Sequence, residues 1–500
     1  MRPPHEPPPR AKRWLEFAAL ATLLTVSGFL IWRRMSLPDI FEDGYHHWWI
    51  GAHWAESGTY VDPMSLMTNG SWLPGYYPLV AGLYSLAGWG ALDLLRWIGL
   101  AASLITLLLV YGMARRHGLA AGLFAALFFG VAIQTSLIGS MAVPEPLVVL
   151  AMTGGVYLLW FSRWSREEIR YALAAALFLA AAILRYEAWL AVSLLPIHAW
   201  FLDRPRFRVF ALTALPSFVF MALWAVALLP GGLLPAIVVG QTAREAQNQL
   251  LLGSIPANPW ERFGWFWFGN YAAGLLPLFV LGPAYMVCRL RREYPTWLSL
   301  GLFAGVTALV VGGLGTGSYR YVAIAVPFVA VAAGRAVQGI AHILLRLSRP
   351  SLARVAVAGL LIALVVASAA NTAWITPKLD SVGLLNAPLE RAGVWISQQP
   401  WDEGKRLLSD SPIATYYSRV DPALAWSSWW LPSNRTDALM ILRAQYEYIV
   451  FVNVSYYPLH QLFPELANGT SSTDFVLVYN ANAWEEEYGA KAVYVYTPRP

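Results

Sequence analysis

Charge is scarce in this chain. Only 13% of its 500 residues are Asp, Glu, Lys or Arg, about half the share of roughly 25% in an ordinary soluble protein. Hydrophobic residues make up 57%, more apolar surface than a soluble chain of this length could hide, so lipid must cover part of it. Cysteine is nearly absent. The single Cys288 excludes an intrachain disulfide, and no His–Cys cluster has the spacing of a structural zinc site. No glycine-rich phosphate-cradling loop occurs anywhere. The net charge of +6 does not point to nucleic acid either, because of where the basic residues stand. Of 35 Lys and Arg, 18 fall in the N-terminal tail and in five short clusters at 115–116, 163–170, 204–208, 289–292 and 346–354. These clusters alternate with apolar runs, which is the positive-inside pattern of a multi-pass membrane protein.

Eleven apolar segments can be drawn: 14–32, 91–114, 119–138, 144–161, 171–184, 187–202, 207–228, 264–288, 295–314, 321–344 and 355–374. A span needs roughly 20 apolar residues, so 171–184 and 187–202 are either two short helices or one long one. Parity chooses two. With a cytosolic N-terminus and eleven spans, every basic group lands inside, and a turn at 184–187 puts Arg185 and Glu187 outside. The expectation is an all-α polytopic membrane domain over 1–375, with outer loops 33–90 and 229–262. A small extracytoplasmic α/β domain follows over 376–500, with strands near 406–408, 448–454, 475–479 and 492–496 and a helix near 437–446.

The stretch FEDGYHHWW, residues 41–49, carries the densest chemistry. Glu42 and Asp43 stand side by side just outside the first span, followed by Tyr45, His46 and His47. A carboxylate there can act as general base toward an acceptor hydroxyl, or the pair can hold a divalent cation (Mg or Mn). The competing reading is a solvated loop, with the histidines as packing groups. Glu145 in VPEPL opens an apolar segment, where an acid suits the helix dipole and an ionisable group at membrane depth also suggests function. Arg320, in SYRYVAIAVP at 318–327, and Arg185, in ILRYEAW, are outer cations with forked donors that fit a phosphate. Snorkelling to lipid is the plainer alternative. Trp72 and its aromatic neighbours in the first loop could stack on sugar or form an interfacial belt.

Taken together, the acidic pair, GSWLPGYYPLVAGLYSL at 70–86, Glu145, Arg185 and RYVAIAVP resemble the GT-C superfamily of integral-membrane glycosyltransferases. The resemblance is to the dolichyl-phosphate-mannose protein mannosyltransferase and aminoarabinose transferase branch, over about 14–345. It implies sugar transfer from a polyprenyl-phosphate donor lipid to an acceptor hydroxyl at the outer face of the plasma (inner) membrane. The first-loop acid engages the acceptor in that family, which maps to Asp43 or Glu42. Tyr45 follows Asp43 by two residues where the family's pattern has four, so both acids stay open. The family's outer basic residues hold the lipid phosphate, which maps to Arg320 and Arg185, with His46, His47, Tyr45 and Trp72 as acceptor or sugar contacts. Two alternatives remain: a ligase using a pyrophosphate-linked saccharide, and a transporter or flippase of lipid-linked sugars. A transporter would place its ionisable groups at midplane, whereas here they gather at one surface.

Overall fold

The computed structural model describes residues 10–37, 39, 42–63, 73–162, 164–228, 256, 258–264, 267, 273–313, 319–347, 350–402, 404–453, 457–481 and 492–499. The chain divides into two compact units. One comprises 1–34, 99–140 and 144–375, and the other 35–98, 141–143 and 376–500. The first outer segment therefore groups with the C-terminal tail, whereas a cut near 375 had assigned it to the membrane domain.

The first unit is helical. Helices α1 (Arg10–Met35), α4 (Ala91–Arg115, whose first eight residues fall in the second unit), α5 (Leu119–Gly130), α6 (Ile133–Ser140) and α7 (Glu145–Val156) are followed by α8 (Glu167–Leu184), α9 (Tyr186–Leu202) and α10 (Phe207–Leu228). Four further long helices cover Ala273–Arg289, Tyr294–Val311, Val326–Leu347 and Pro350–Leu384. Among the described residues, six helices are long and apolar enough to cross a membrane, or seven if a bent pair counts as one span. The protein is a multi-pass integral membrane protein.

The continuous span expected at 119–138 is instead that bent pair, α5 and α6, with 54° between them. The break follows Gly130 and Val131, two poor helix formers in sequence. Two helices, not one, occupy 167–202. Arg185 interrupts them with extended backbone, φ −148° and ψ 141°. Packing elsewhere relies on glycine. A Cβ on Gly334 would lie 2.3 Å from the Ala121 carbonyl oxygen, and one on Gly282 would lie 2.4 Å from Val329 Cγ1. The helix Val326–Leu347 thus meets α5 and the helix Ala273–Arg289 at backbone distance, the close approach that small residues permit in membranes.

The second unit holds a five-stranded sheet of order β2-β1-β3-β5-β4, with β1 Arg406–Ser409, β2 Ala425–Trp426, β3 Tyr446–Val452, β4 Phe475–Asn480 and β5 Val493–Pro498. β1 runs parallel to both β2 and β3, and β5 runs antiparallel to β3 and β4. Leu408, Ile449, Phe451, Phe475 and Tyr496 form a buried face under the helix Arg435–Gln445, which contributes Ala438 and Leu442. That helix starts at Asn434, whose side chain accepts the Thr436 N–H at 2.9 Å, a cap that satisfies one of the free amides of the first turn. From the first outer segment the same unit takes α2 (Asp43–Ser57) and α3 (Tyr77–Ala87). α2 buries Tyr45, Trp48 and Trp49. Trp48 meets Trp89 at 4.7 Å and Tyr416 edge-on at 4.9 Å. Most of the aromatic crowding seen in that segment is therefore core.

Candidate active-site clusters

In the helical unit the structure brings Glu145, Arg185 and Arg320 together. Pro144 sits at the N-cap of α7, so its missing N–H costs nothing there, and Glu145 becomes the first helical residue. Its carboxylate is 3% exposed. Arg185 Nη1 stands 3.3 Å from Glu145 Oε1, and Arg320 Nη1, on the short turn Tyr319–Ala325, stands 3.6 Å from the same oxygen. Arg185 also clasps Glu187, with Nε donating to Oε2 at 3.0 Å and Nη2 to Oε1 at 2.5 Å. Neither Glu145 oxygen accepts a hydrogen bond among the described residues. The carboxylate is held by charge between the two guanidiniums, a place from which it can orient both.

In the second unit the acidic pair opens α2. Glu42 is the N-cap and its Oε2 accepts the Ser411 hydroxyl at 3.3 Å. Asp43 is the first helical residue and is partly exposed. His46 Nε2 lies 2.9 Å from Asp62 Oδ1, and His47 Nδ1 lies 3.2 Å from the Tyr77 hydroxyl. His47 and Tyr45 are buried. Trp72 lies outside the described residues. Among the described residues no group of three or more His, Cys, Asp or Glu is arranged to hold a metal ion.

Two networks in this unit escaped the sequence reading. Arg96 Nη2 reaches Asp39 Oδ2 and the Tyr45 hydroxyl, each at 3.1 Å, and the Tyr45 hydroxyl lies 3.3 Å from that of Tyr417. Burial pushes the Tyr45 hydroxyl well above its ordinary pKa, so it stays protonated. Arg96 was the more findable of the pair. An arginine inside ALDLLRWIGLA is conspicuous in an apolar helix, while Asp39 carries no local signal. The second network surrounds Asp410, which accepts the Ser427 hydroxyl at 2.7 Å, the Ser428 N–H at 2.8 Å and the Ser428 hydroxyl at 2.6 Å. Burial pushes this carboxyl above its usual range, the serine donors oppose the shift, and Glu42 adds to it.

The same architecture occurs in solved membrane enzymes. ArnT from Cupriavidus metallidurans bound to undecaprenyl phosphate superposes with a TM-score of 0.61 at 14% identity, covering 97% of this chain and 98% of that one. Its apo state gives 0.58 at 14% identity, covering 98% of each chain. The chain has the GT-C fold. A second GT-C enzyme, the archaeal oligosaccharyltransferase AglB from Archaeoglobus fulgidus in complex with an inhibitory peptide and a dolichol-phosphate, gives 0.58 at 14% identity over 93% of this chain and 73% of that one. No protein-family model and no curated protein matches the sequence. The GT-C likeness is thus one of backbone architecture, carried at an identity where side-chain roles must be argued from this chain's own residues.

Proposed function

We propose that this protein is an inverting glycosyltransferase that takes a sugar from a polyprenyl-phosphate lipid and attaches it to an acceptor hydroxyl at the outer face of the plasma membrane. The observation that carries the reading is the end-to-end GT-C likeness, which includes a relative solved with undecaprenyl phosphate. In the reaction the acceptor oxygen bonds to the anomeric carbon. The bond from that carbon to the phosphate oxygen breaks, and its electron pair leaves with the phosphate. The acceptor proton passes to a carboxylate. Asp43 is assigned that proton, with Glu42 as the second candidate. Arg320 and Arg185 are assigned the leaving phosphate, since preorganised donors aimed at developing charge lower the barrier most effectively, and Glu145 orients both guanidiniums. If the acidic pair holds a divalent cation, that ion would polarise the acceptor oxygen.

Lipid extraction from the purified protein followed by mass spectrometry tests the donor class. A polyprenyl phosphate should co-purify with wild type and be depleted in Arg320→Ala; its absence from well-folded wild type would overturn the assignment. The face is read from the basic clusters. On a Cys288→Ser background, Ser381→Cys should react with an impermeant maleimide on intact cells and Phe207→Cys should not. The reverse pattern would invert the topology.

A further inference from the structure

A cleft of about 310 Å³ opens in the second unit, beside the helix Ala387–Ser397 and the strand β4. Glu390, Arg391, Trp395, Gln398 and Tyr479 line it. The Trp395 and Tyr479 rings stack on each other at 5.1 Å, and both line the cleft. Arg391 is fixed by donating to the Ala481 carbonyl oxygen from Nη2 at 2.7 Å and from Nε at 3.2 Å. The remaining side chains offer a carboxylate acceptor and an amide that both donates and accepts.

We infer that this cleft is a docking subsite for a neutral sugar unit of the acceptor. Three properties select that ligand. The volume stands at the small end of ligand sites, which fits one pyranose ring. The charges of Glu390 and Arg391 cancel, which disfavours an anionic headgroup. A sugar presents C–H faces to aromatic walls and hydroxyls that donate and accept at once, and the cleft supplies partners for both.

The cleft is also wired to the acidic segment. The helix lining the cleft packs on the helix Pro412–Ser418, since a Cβ on Gly393 would lie 2.7 Å from Tyr417 Cβ, and the Tyr417 hydroxyl pairs with the Tyr45 hydroxyl at 3.3 Å. Arg96 has only donors and donates to the Tyr45 hydroxyl at 3.1 Å, which leaves the Tyr45 proton for Tyr417. Tyr45 is on α2, two residues after Asp43. A sugar bound in the cleft would therefore rest on a helix packed, through Tyr417, toward the helix that carries the proposed base. A surface dimple would lack such backing.

The choice of ligand rests on the transferase reading, but the test is one of binding and needs no turnover. The full chain is reconstituted in lipid nanodiscs, which avoids glycoside detergents that would compete. It is titrated with methyl α-mannopyranoside, methyl β-glucopyranoside, methyl β-galactopyranoside and inorganic phosphate, read by saturation-transfer NMR. At least one glycoside should saturate in the millimolar range and phosphate should not bind. Gln398→Ala and Trp395→Leu should each weaken that glycoside by about tenfold. Gln398 is exposed, so its variant decides the matter if loss of Trp395 disturbs folding. No glycoside binding in wild type, unchanged affinity in Gln398→Ala, or phosphate displacing the glycoside would each overturn the subsite. A chain that binds glycoside normally but transfers no sugar from any lipid donor would instead count against the transferase.

Discussion

The two units bury charge in different ways. In the helical unit, Glu145 lies between Arg185 and Arg320 without a hydrogen bond to either of its oxygens among the described residues. In the second unit, Asp410 accepts three hydrogen bonds and Asp39 shares the Arg96 guanidinium with a tyrosine hydroxyl. Hydrogen-bonded buried networks favour one arrangement of the chain, and removing a charged member leaves its partner poorly compensated. Glu145 meets its two guanidiniums through ion pairs at 3.3 and 3.6 Å, and an ionisable group inside a membrane protein is a functional candidate. The contrast sets a scaffold beside a candidate site, and each side of it can be broken by substitution.

The largest effect should come from the scaffold. Arg96→Met removes the guanidinium that pairs with buried Asp39 and donates to Tyr45, and breaking a buried pair in this way costs roughly 3–5 kcal/mol. Thermal unfolding followed by tryptophan fluorescence should show a drop of many degrees; a melting point equal to wild type would mean that the network is not structural. Next comes chemistry. Asp43→Asn should leave the melting point nearly unchanged and cut turnover by roughly a hundredfold or more, as loss of a general base does, with Glu42→Gln milder. Wild-type turnover in both variants would make the acidic pair a solvated loop.

Arg320→Ala should fall between these, leaving Glu145 paired with Arg185 and the fold intact while donor use declines. Arg320→Lys should restore only part, because an ammonium keeps the charge and loses the fork. Full rescue by lysine would leave only charge, without geometry, as the contribution. The smallest effect concerns His53, whose Nδ1 lies 3.0 Å from the Pro422 carbonyl oxygen. Burial lowers its pKa against the opposing pull of that carbonyl and two aspartates. The native state therefore holds fewer protons than the unfolded chain, so this contribution is intact above the ordinary imidazole value of about 6.5 and weakens as pH falls below it. His53→Gln should flatten the melting-point profile on the acid side, and an unchanged profile would remove His53 as its cause.

Much of this was legible because membranes restrict the possibilities. Apolar runs and arginine clusters are local signals, and they located most helices of the first unit, the break at Arg185 and four of the five strands, but read α2 and α3 as part of an outer loop. The bend after Gly130 was missed because a glycine in an apolar run is ordinary in membrane helices. The strand β2, only Ala425–Trp426, is too short to show a period. At the candidate site, Glu145, Arg185 and Arg320 could be named singly from their positions at segment ends, but not their meeting, since the first two lie 40 positions apart and the last two 135. The Asp39–Arg96 and Asp410–Ser428 contacts are likewise long-range, and nothing in the local pattern marks Asp39 or Asp410 apart from other loop acids. The motifs favoured the mannosyltransferase and aminoarabinose transferase branch, while the backbone likeness extends also to an archaeal oligosaccharyltransferase.

The central claim is that the sugar arrives on a lipid phosphate, and transfer of radiolabelled sugar by the purified protein tests it most directly. The same monosaccharide is supplied either on a polyprenyl phosphate or as its nucleotide sugar, with Arg320→Ala and Asp43→Asn alongside. The account predicts transfer from the lipid donor alone, severely weakened in both variants. Efficient transfer from the nucleotide sugar would contradict it, as would movement of intact lipid-linked sugar across proteoliposomes without any transfer.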